Sequence, residues 1–350
     1  MINYTTKTTK AKTYDMDKSK RNILIIAQGE SDSKRKIILN PVEPRTARMI
    51  YGETSELYNA YKVAYDITND SNIYTVNCKS YTDFIEISDT LIQYDFDFIV
   101  PIGYYLNDKF YNPMNNKMIS YISYYLNRFG SVYSNAIIVT TAQPSHLYDD
   151  IDKYLYDMRK LYKDFKNENS ETVNLFGKNL IFVLNNLNGT EYPHVVLAAT
   201  LSKCDFKSYP KNINYSTYFD IDHSDLYYDQ EICYHKYYVS QNNSSVENLN
   251  NFLQSDNIYK RVLIDLLIKY VVKKIDLTEF NGMLFNPYVK VKIDKKVTTI
   301  MDSMEESVFV SYKVNRIAYI KTGPGVGNVI VDLSIVPFSI LENINIVMEL

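Results

Sequence analysis

Between residues 21 and 184, short apolar runs alternate with amphipathic stretches, and no other feature restricts the fold as strongly. The runs are 21–28 (RNILIIAQ), 72–77 (NIYTVN), 96–102 (FDFIVPI), 136–140 (AIIVT) and 178–184 (KNLIFVL). Between them, apolar residues recur at helical spacing. In 55–66, Leu57, Tyr58, Tyr61 and Ala64 share a face; 83–94, 117–129 and 145–165 follow, the last capped near Ser145 or Asp149. Strands buried on both faces read as unbroken apolar runs, and strands joined through helices run parallel. The pattern implies an α/β layer with a largely parallel sheet.

The pattern changes after Leu187-Asn188-Gly189. Residues 194–201 (HVVLAATL) are apolar and suit the start of a second domain, and 203–257 are polar, aromatic and irregular. A helix over 257–275 carries Arg261, Asp265, Lys269 and Lys273 every fourth residue, a narrow polar stripe on an otherwise apolar cylinder. Strand-like 288–293, a helix over 298–306 and a strand over 308–320 lead to a turn at Lys321-Thr322-Gly323-Pro324-Gly325. Two alternating stretches end the chain. Val329, Val331, Leu333 and Ile335 share one face of the first; Ile344, Ile346, Met348 and Leu350 share one face of the second. An apolar terminus of this kind belongs either in its own sheet or on the open edge of a neighbour's. Residues 1–20 hold no apolar cluster, and the Ile2, Tyr4, Thr6, Thr8 phase reads as an extended arm or a disordered tail. The expected organisation is an N-terminal arm (1–20), an α/β outer domain (21–193), an α+β inner domain (194–327) and a C-terminal β-arm (328–350).

A net charge of −3 argues against a general preference for nucleic acid or anionic membranes. The 34 Tyr against 10 Gly and no Trp fit AT-rich codon usage better than a selected aromatic surface. Three cysteines (Cys78, Cys204, Cys233) are too few and too scattered for a disulfide framework. No apolar run is as long as a bilayer is thick, and residues 1–20 lack a signal-peptide core. The expectation is a protein made and kept in a cytoplasm, or released from it by lysis, without membrane insertion.

Gly323-Pro324-Gly325-Val326-Gly327 is followed by Asn328 where a P-loop needs Lys, and it lies between strands, so it reads as a hairpin turn. Asp220, Asp222, Ser224 and Glu231 match positions of a calcium loop, but Asp225 stands where that loop needs Gly. Cys204, His223, Cys233 and His235 lack the paired spacing of a zinc site. Ser145, His146, Asp149 and Asp150 resemble a triad by residue type only and suit helix capping better. Glu305-Glu306 and the Asp95, Asp97 pair have no partner base. The expectation is no catalytic constellation, no cofactor, no metal and no direct nucleic-acid contact.

Four segments resemble the tail sheath proteins of contractile injection machines. They are 51–61 (YGETSELYNAY) with NIYTVN after it, 96–101 (FDFIVP), 259–265 (YKRVLID), and the ending from 307–312 through VDLSIVPFSILENINIVMEL. The resemblance follows the order of elements over most of the chain. It departs where 226–256 hold neither the Gly nor the Trp common before the long helix. It implies a structural subunit, not an enzyme. Such subunits stack in rings, usually of six, around a tail tube, between baseplate and terminator proteins, in a virion tail assembled in the host cytoplasm. Contraction then drives the tube through the host envelope. It further implies that Ile2, Tyr4, Thr6, Val329, Val331, Leu333, Ile335, Ile344, Ile346 and Met348 lie in arms that add strands to neighbouring subunits. The 308–320 strand would form part of the receiving sheet. Arg261, Asp265, Lys269 and Lys273 become candidates to face the tube, with plain solvent exposure as the alternative. Two other readings stand beside it: a tail-end or baseplate protein of the same fold, and a cytoplasmic α/β enzyme with a pocket among the tyrosines of 203–240.

Overall fold

The computed structural model describes residues 21–30, 36–69, 72–92, 94–112, 116–129, 136–204, 212–219, 232–238, 243–247, 258–323 and 326–338. Contacts divide the chain into two units, with the second taking the chain from Lys260 onward.

The first unit is built on six strands. These are β1 (Ile23–Ala27), β2 (Ile38–Leu39), β3 (Ile73–Asn77), β4 (Phe98–Pro101), β7 (Ile137–Thr141) and β8 (Leu180–Val183), in the order β2-β3-β1-β4-β7-β8. Five run parallel and β2 is antiparallel at the edge. A separate hairpin, β5 (Lys109–Asn112) and β6 (Lys117–Ser120), precedes α4. The helices are α1 (Pro44–Tyr51), α2 (Glu56–Thr68), α3 (Tyr81–Leu91), α4 (Tyr121–Phe129), α5 (Ile151–Glu168), α6 (Ser170–Phe176) and α7 (Pro193–Ser202). Successive side chains of a strand point to opposite faces. Leu24, Ile26, Val76, Ile99, Ile138 and Phe182 accordingly pack with Phe84, Tyr125 and Tyr154 from α3, α4 and α5, while α2 and α7 cover the other face.

Local chemistry sets the helix starts. Ser55 accepts from the Tyr58 N–H, Ser80 from Asp83 and Asp150 from Asp152, each satisfying a donor that the first turn leaves unpaired. Asn69 closes α2 in the left-handed region at φ 49°.

Several expectations need correction. The apolar run 194–201 lies within α7, where all residues from Pro193 to Leu201 are buried. It belongs to the first unit because a helix apolar all round must be enclosed, so the division falls at 259/260 and not at 193/194. The helix expected over 117–129 gives its first four residues to β6. The helix expected from 145 begins at Ile151, after a 3₁₀ turn over Ser145–Leu147.

The irregular region contains β9 (Asn212–Ile213), β10 (Tyr234–Tyr238) and β11 (Asn243–Glu247), an antiparallel sheet in the order β10-β11-β9. It joins the large sheet at the β8 edge. The Leu184 N–H donates to the Cys233 carbonyl at 2.8 Å, and the Cys233 N–H to the Phe182 carbonyl at 3.1 Å.

The second unit holds α8 (Ile258–Lys274), α9 (Pro287–Asp302), β12 (Ser311–Gly323) and β13 (Val326–Val336). Residues 288–293, strand-like in sequence, open α9: Asn286 caps it at the Val289 N–H (3.0 Å) and Pro287 occupies the first turn. Val289, Ile293, Val297 and Met301 then recur every fourth residue and form the buried stripe. They pack with Leu267 and Val271 of α8, and Val331, Leu333 and Ile335 of β13 lie against the same cluster.

Among the described residues, the largest fully buried side chains include Tyr51, Tyr61, Tyr125, Tyr154, Tyr162 and Tyr234. The Tyr51 hydroxyl pairs with Thr75 Oγ1 at 2.6 Å, and the Tyr154 hydroxyl accepts from the Asn185 N–H at 3.0 Å. Burial pushes Tyr51 up to about 12 and raises Tyr61, Tyr125 and Tyr154 as well. Raised phenol values contribute stability that is complete below the unfolded value of about 10 and is lost as pH rises through the folded values. Above about pH 10, tyrosinate absorbance from these residues is therefore expected to appear together with unfolding. Full ionisation near pH 10 with native circular dichroism would contradict it.

Candidate assembly surface

The terminal β-hairpin carries the most distinctive geometry. β12 and β13 pair antiparallel from Ser311↔Val336 to Gly323↔Val326, so Gly323 and Gly327 lie on either side of the connection where the sequence implies a turn. A bulge falls between Val314 and Arg316; the Asn315 amide there donates to Ser334 Oγ at 2.7 Å and Asp332 Oδ1 at 3.3 Å. Gly327 has no room for a side chain, because a Cβ would meet the Tyr319 ring at 2.3 Å. Tyr312 anchors the base through its hydroxyl, which donates to Asp302 Oδ1 at 2.5 Å.

This geometry changes the arm expected over 328–350. Val329, Val331, Leu333 and Ile335 pair with Tyr319, Ile317, Val314 and Tyr312 of the same chain. The last three face the unit's own core, because their period-two face is the one that α8 and α9 must cover. Ile2, Tyr4, Thr6, Ile344, Ile346 and Met348 lie outside the described residues. The sheet has two strands, and no described strand pairs with the outer edge of either. Such edges present unpaired N–H and C=O groups to an incoming strand.

The polar stripe of α8 is less open than its sequence suggests. Arg261 and Asp265 pair at 3.8 Å with side chains 13% and 14% exposed. Lys269 and Lys273 lie further along α8, and their side chains are outside the described set. Among the described residues, the most exposed large apolar side chains of this unit lie on α9 and just before it. Leu284, Tyr288 and Val291 are 84%, 67% and 65% exposed, beside exposed Lys290, Lys292 and Lys295. The Lys292 ammonium stands 4.6 Å from the Tyr288 ring centre. Sequence reading missed these residues because Val289, Val291 and Ile293 alternate, and alternation reads as strand. The usable signal was Asn286-Pro287, a cap followed by a first-turn proline.

The other sites weighed in the sequence take structural roles. In open α/β sheets, ligands bind outside the strand ends where the order reverses, here between β1 and β4. The chain fills that place itself. The Glu30 carboxylate accepts from the Thr54 N–H at 2.8 Å and from its hydroxyl, which hold Glu30 below the usual carboxylate range. The Leu57 N–H donates to the Gln28 carbonyl at 3.2 Å, and Ser55 caps Tyr58. The donors that would cradle a phosphate at the start of α2 are thus occupied. Asp97 accepts from the Asn22 N–H at 2.9 Å and ties β1 to β4. Asp150 caps α5, and His146 lies 3.7 Å from Glu191. Among the described residues no three His, Cys, Asp or Glu side chains are placed to hold a metal ion, and no helix is long and apolar enough to cross a membrane. His223 and the 220–231 loop lie outside the described residues.

Solved structures match this arrangement over the whole chain. A chain from the anti-feeding prophage baseplate aligns with a TM-score of 0.61 at 10% identity, covering 100% of this chain and 98% of that one. A chain from the same particle's helical sheath in its contracted state gives 0.58 at 9%, covering 100% and 98%. The sheath tail protein of Desulfitobacterium hafniense gives 0.54 at 9%, covering 97% and 100%. The fold is that of a tail sheath protein. No protein-family model and no curated protein matches the sequence. A sheath fold at such low identity means that architecture, not a shared motif, carries the likeness.

Proposed function

We propose that this protein is the structural subunit of a contractile tail sheath, which polymerises in stacked rings around a tail tube and contracts to drive it through a host envelope. The observation that carries the reading is the full-length match to sheath structures, joined to a terminal sheet whose two outer edges no described strand covers. Residues 1–20 and 339–350 carry the arms in this scheme. Ile2, Tyr4 and Thr6 of one neighbour and Ile344, Ile346 and Met348 of another extend the β12–β13 sheet. Each backbone hydrogen bond so formed contributes about 0.5–1.5 kcal/mol, and repetition through a lattice stores energy without a nucleotide.

The tube-facing surface is assigned to Leu284, Tyr288, Val291, Lys292 and Lys295, in preference to the largely covered Arg261 and Asp265 of α8. Rings of six, a baseplate below, a terminator above and a place in the virion tail complete the scheme. A tail-end or baseplate role uses the same fold, and no observation favours it over the sheath. Electron microscopy of the purified protein is expected to show striated tubes or rings. A compact monomer at high concentration would sink the proposal.

A further inference from the structure

Two histidines unused by the assembly scheme are enclosed in the first unit, one on α7 and one on β10. His194, the second residue of α7, is 3% exposed, and His235 is fully buried. Nδ1 of His194 meets no hydrogen-bond partner among the described residues; neither ring nitrogen of His235 makes a well-aligned hydrogen bond, although the carbonyl of Pro193, the residue before His194, lies close enough to favour its protonated form. His194 also stands in the first turn of its helix, where the backbone dipole opposes positive charge.

Asn186 clips the strand bearing His235 to the first unit. Its Nδ2 donates to the His235 carbonyl at 2.7 Å and its Oδ1 accepts from the His235 N–H at 3.3 Å. With the Leu184 and Cys233 bonds described above, these contacts join β10 to the six-stranded sheet.

The charged and titratable surroundings are few. His194 is the only titratable side chain of α7, and β1, β4, β7 and β8 bring none. From α2 come Glu56, Tyr58, Tyr61, Tyr65 and the Lys62–Asp66 pair, whose atoms are 2.5 Å apart. The loop before α7 brings Glu191, turned to His146, and Tyr192, whose ring centre is 6.4 Å from that of His194. β10 brings Tyr234 and Lys236, the buried Cys233 thiol stands just before it in the seam, and β11, paired with β10, carries Glu247 at the position opposite Tyr234. Arg21 bonds to the Leu201 carbonyl at the far end of α7, and Lys203 to that of Ile67. Burial alone holds His194 down to about 3. Burial also holds His235 down to about 4, with the Pro193 carbonyl pulling weakly the other way.

We propose that this seam is an acid-released latch: protonation of His194 and His235 frees β10, and the small sheet it belongs to, from the six-stranded sheet. Both imidazoles bind protons more weakly folded than at the ordinary value of about 6.5. The stability they contribute is complete above that value and is lost as pH falls from it towards the folded values. Each pH unit below about 6.5 multiplies the opening equilibrium about tenfold per imidazole, hence about a hundredfold for two. The latch is independent of the sheath reading.

The test is native-state hydrogen exchange on the full chain between about pH 7 and about pH 4.5, corrected for intrinsic rates. The amides of Leu184, Cys233 and His235 are expected to open with two decades per pH unit. His194→Leu and His235→Leu should each reduce this to one, and the double variant to none. Seam amides that keep the wild-type slope in the double variant, or that follow the same slope as β12 amides, would overturn the latch. Should a variant not fold, NMR titration of the wild-type imidazoles decides. Titration only with opening, below about pH 5, supports the latch; titration near 6.5 in the folded protein refutes it.

Discussion

A chain ending at Gly325 is expected to lose the second unit outright, whereas one ending at Phe338 stays folded and fails to assemble. The shorter chain lacks β13. It gives up the whole β12 ladder and removes Val331, Leu333 and Ile335 from the core. Full burial of such a side chain contributes about 1.5–3 kcal/mol, so even half-burial of three amounts to several kcal/mol before any hydrogen bond is counted. Small domains hold about 5–15 kcal/mol in all. The longer chain keeps every described pair, including the Val310 N–H to Val336 carbonyl bond at 2.9 Å. It loses only the stretch with Ile344, Ile346 and Met348, the part assigned to a neighbour. Urea melts and electron microscopy of both chains separate the cases. Tubes from the chain ending at Phe338 would remove the C-terminal arm from the scheme. A cooperative second-unit transition in the chain ending at Gly325 would remove β13 from the core.

Phe84→Ala should be the most damaging single change in the first unit. The Phe84 side chain is fully buried among Tyr104, Tyr121, Tyr124 and Tyr125, with ring centres 5.4, 5.5 and 6.0 Å away for the first three. Truncating a buried Phe costs about 3–5 kcal/mol through lost transfer energy and the cavity left behind. These neighbours cannot collapse into the gap easily, since rings move as rigid plates and Tyr124 is tied by its hydroxyl to Ser88 at 3.1 Å. The urea midpoint of the first unit is the measurement. A loss below about 1 kcal/mol would mean that this aromatic cluster is not what holds α3 and α4 to the sheet.

Periodicity made the parallel sheet legible, because each strand is a short apolar run between helices long enough to cross over. It failed where two elements share one pattern. Residues 288–293 alternate, yet Asn286 and Pro287 start a helix that outweighs the alternation. α7 has no polar face to betray its spacing, so its role as a cover for the sheet was hidden. The exposed apolar surface on α9 and just before it was invisible for a related reason: Leu284, Tyr288 and Val291 look like core residues, and only packing shows that Val289, Ile293 and Val297 took that place. The terminal hairpin was half legible. Its turn and faces follow from the glycines and the alternation, but whether a strand pairs within its own chain depends on what α8 and α9 leave uncovered.

The bulge at Asn315 has a consequence for any lattice built on this sheet. A regular strand accepts a visiting strand in several positions two residues apart, with the same faces turned inward. β12 carries an extra residue at Asn315, an odd mark on a ruler, and a second irregularity follows between Lys321 and Gly323 beside the turn. A visitor that slips meets the mark out of step and loses pairing on one side of it. In the proposed sheath, each joint would then close at one setting only. Misplacement would be rejected subunit by subunit, before it could be copied from ring to ring along the tube.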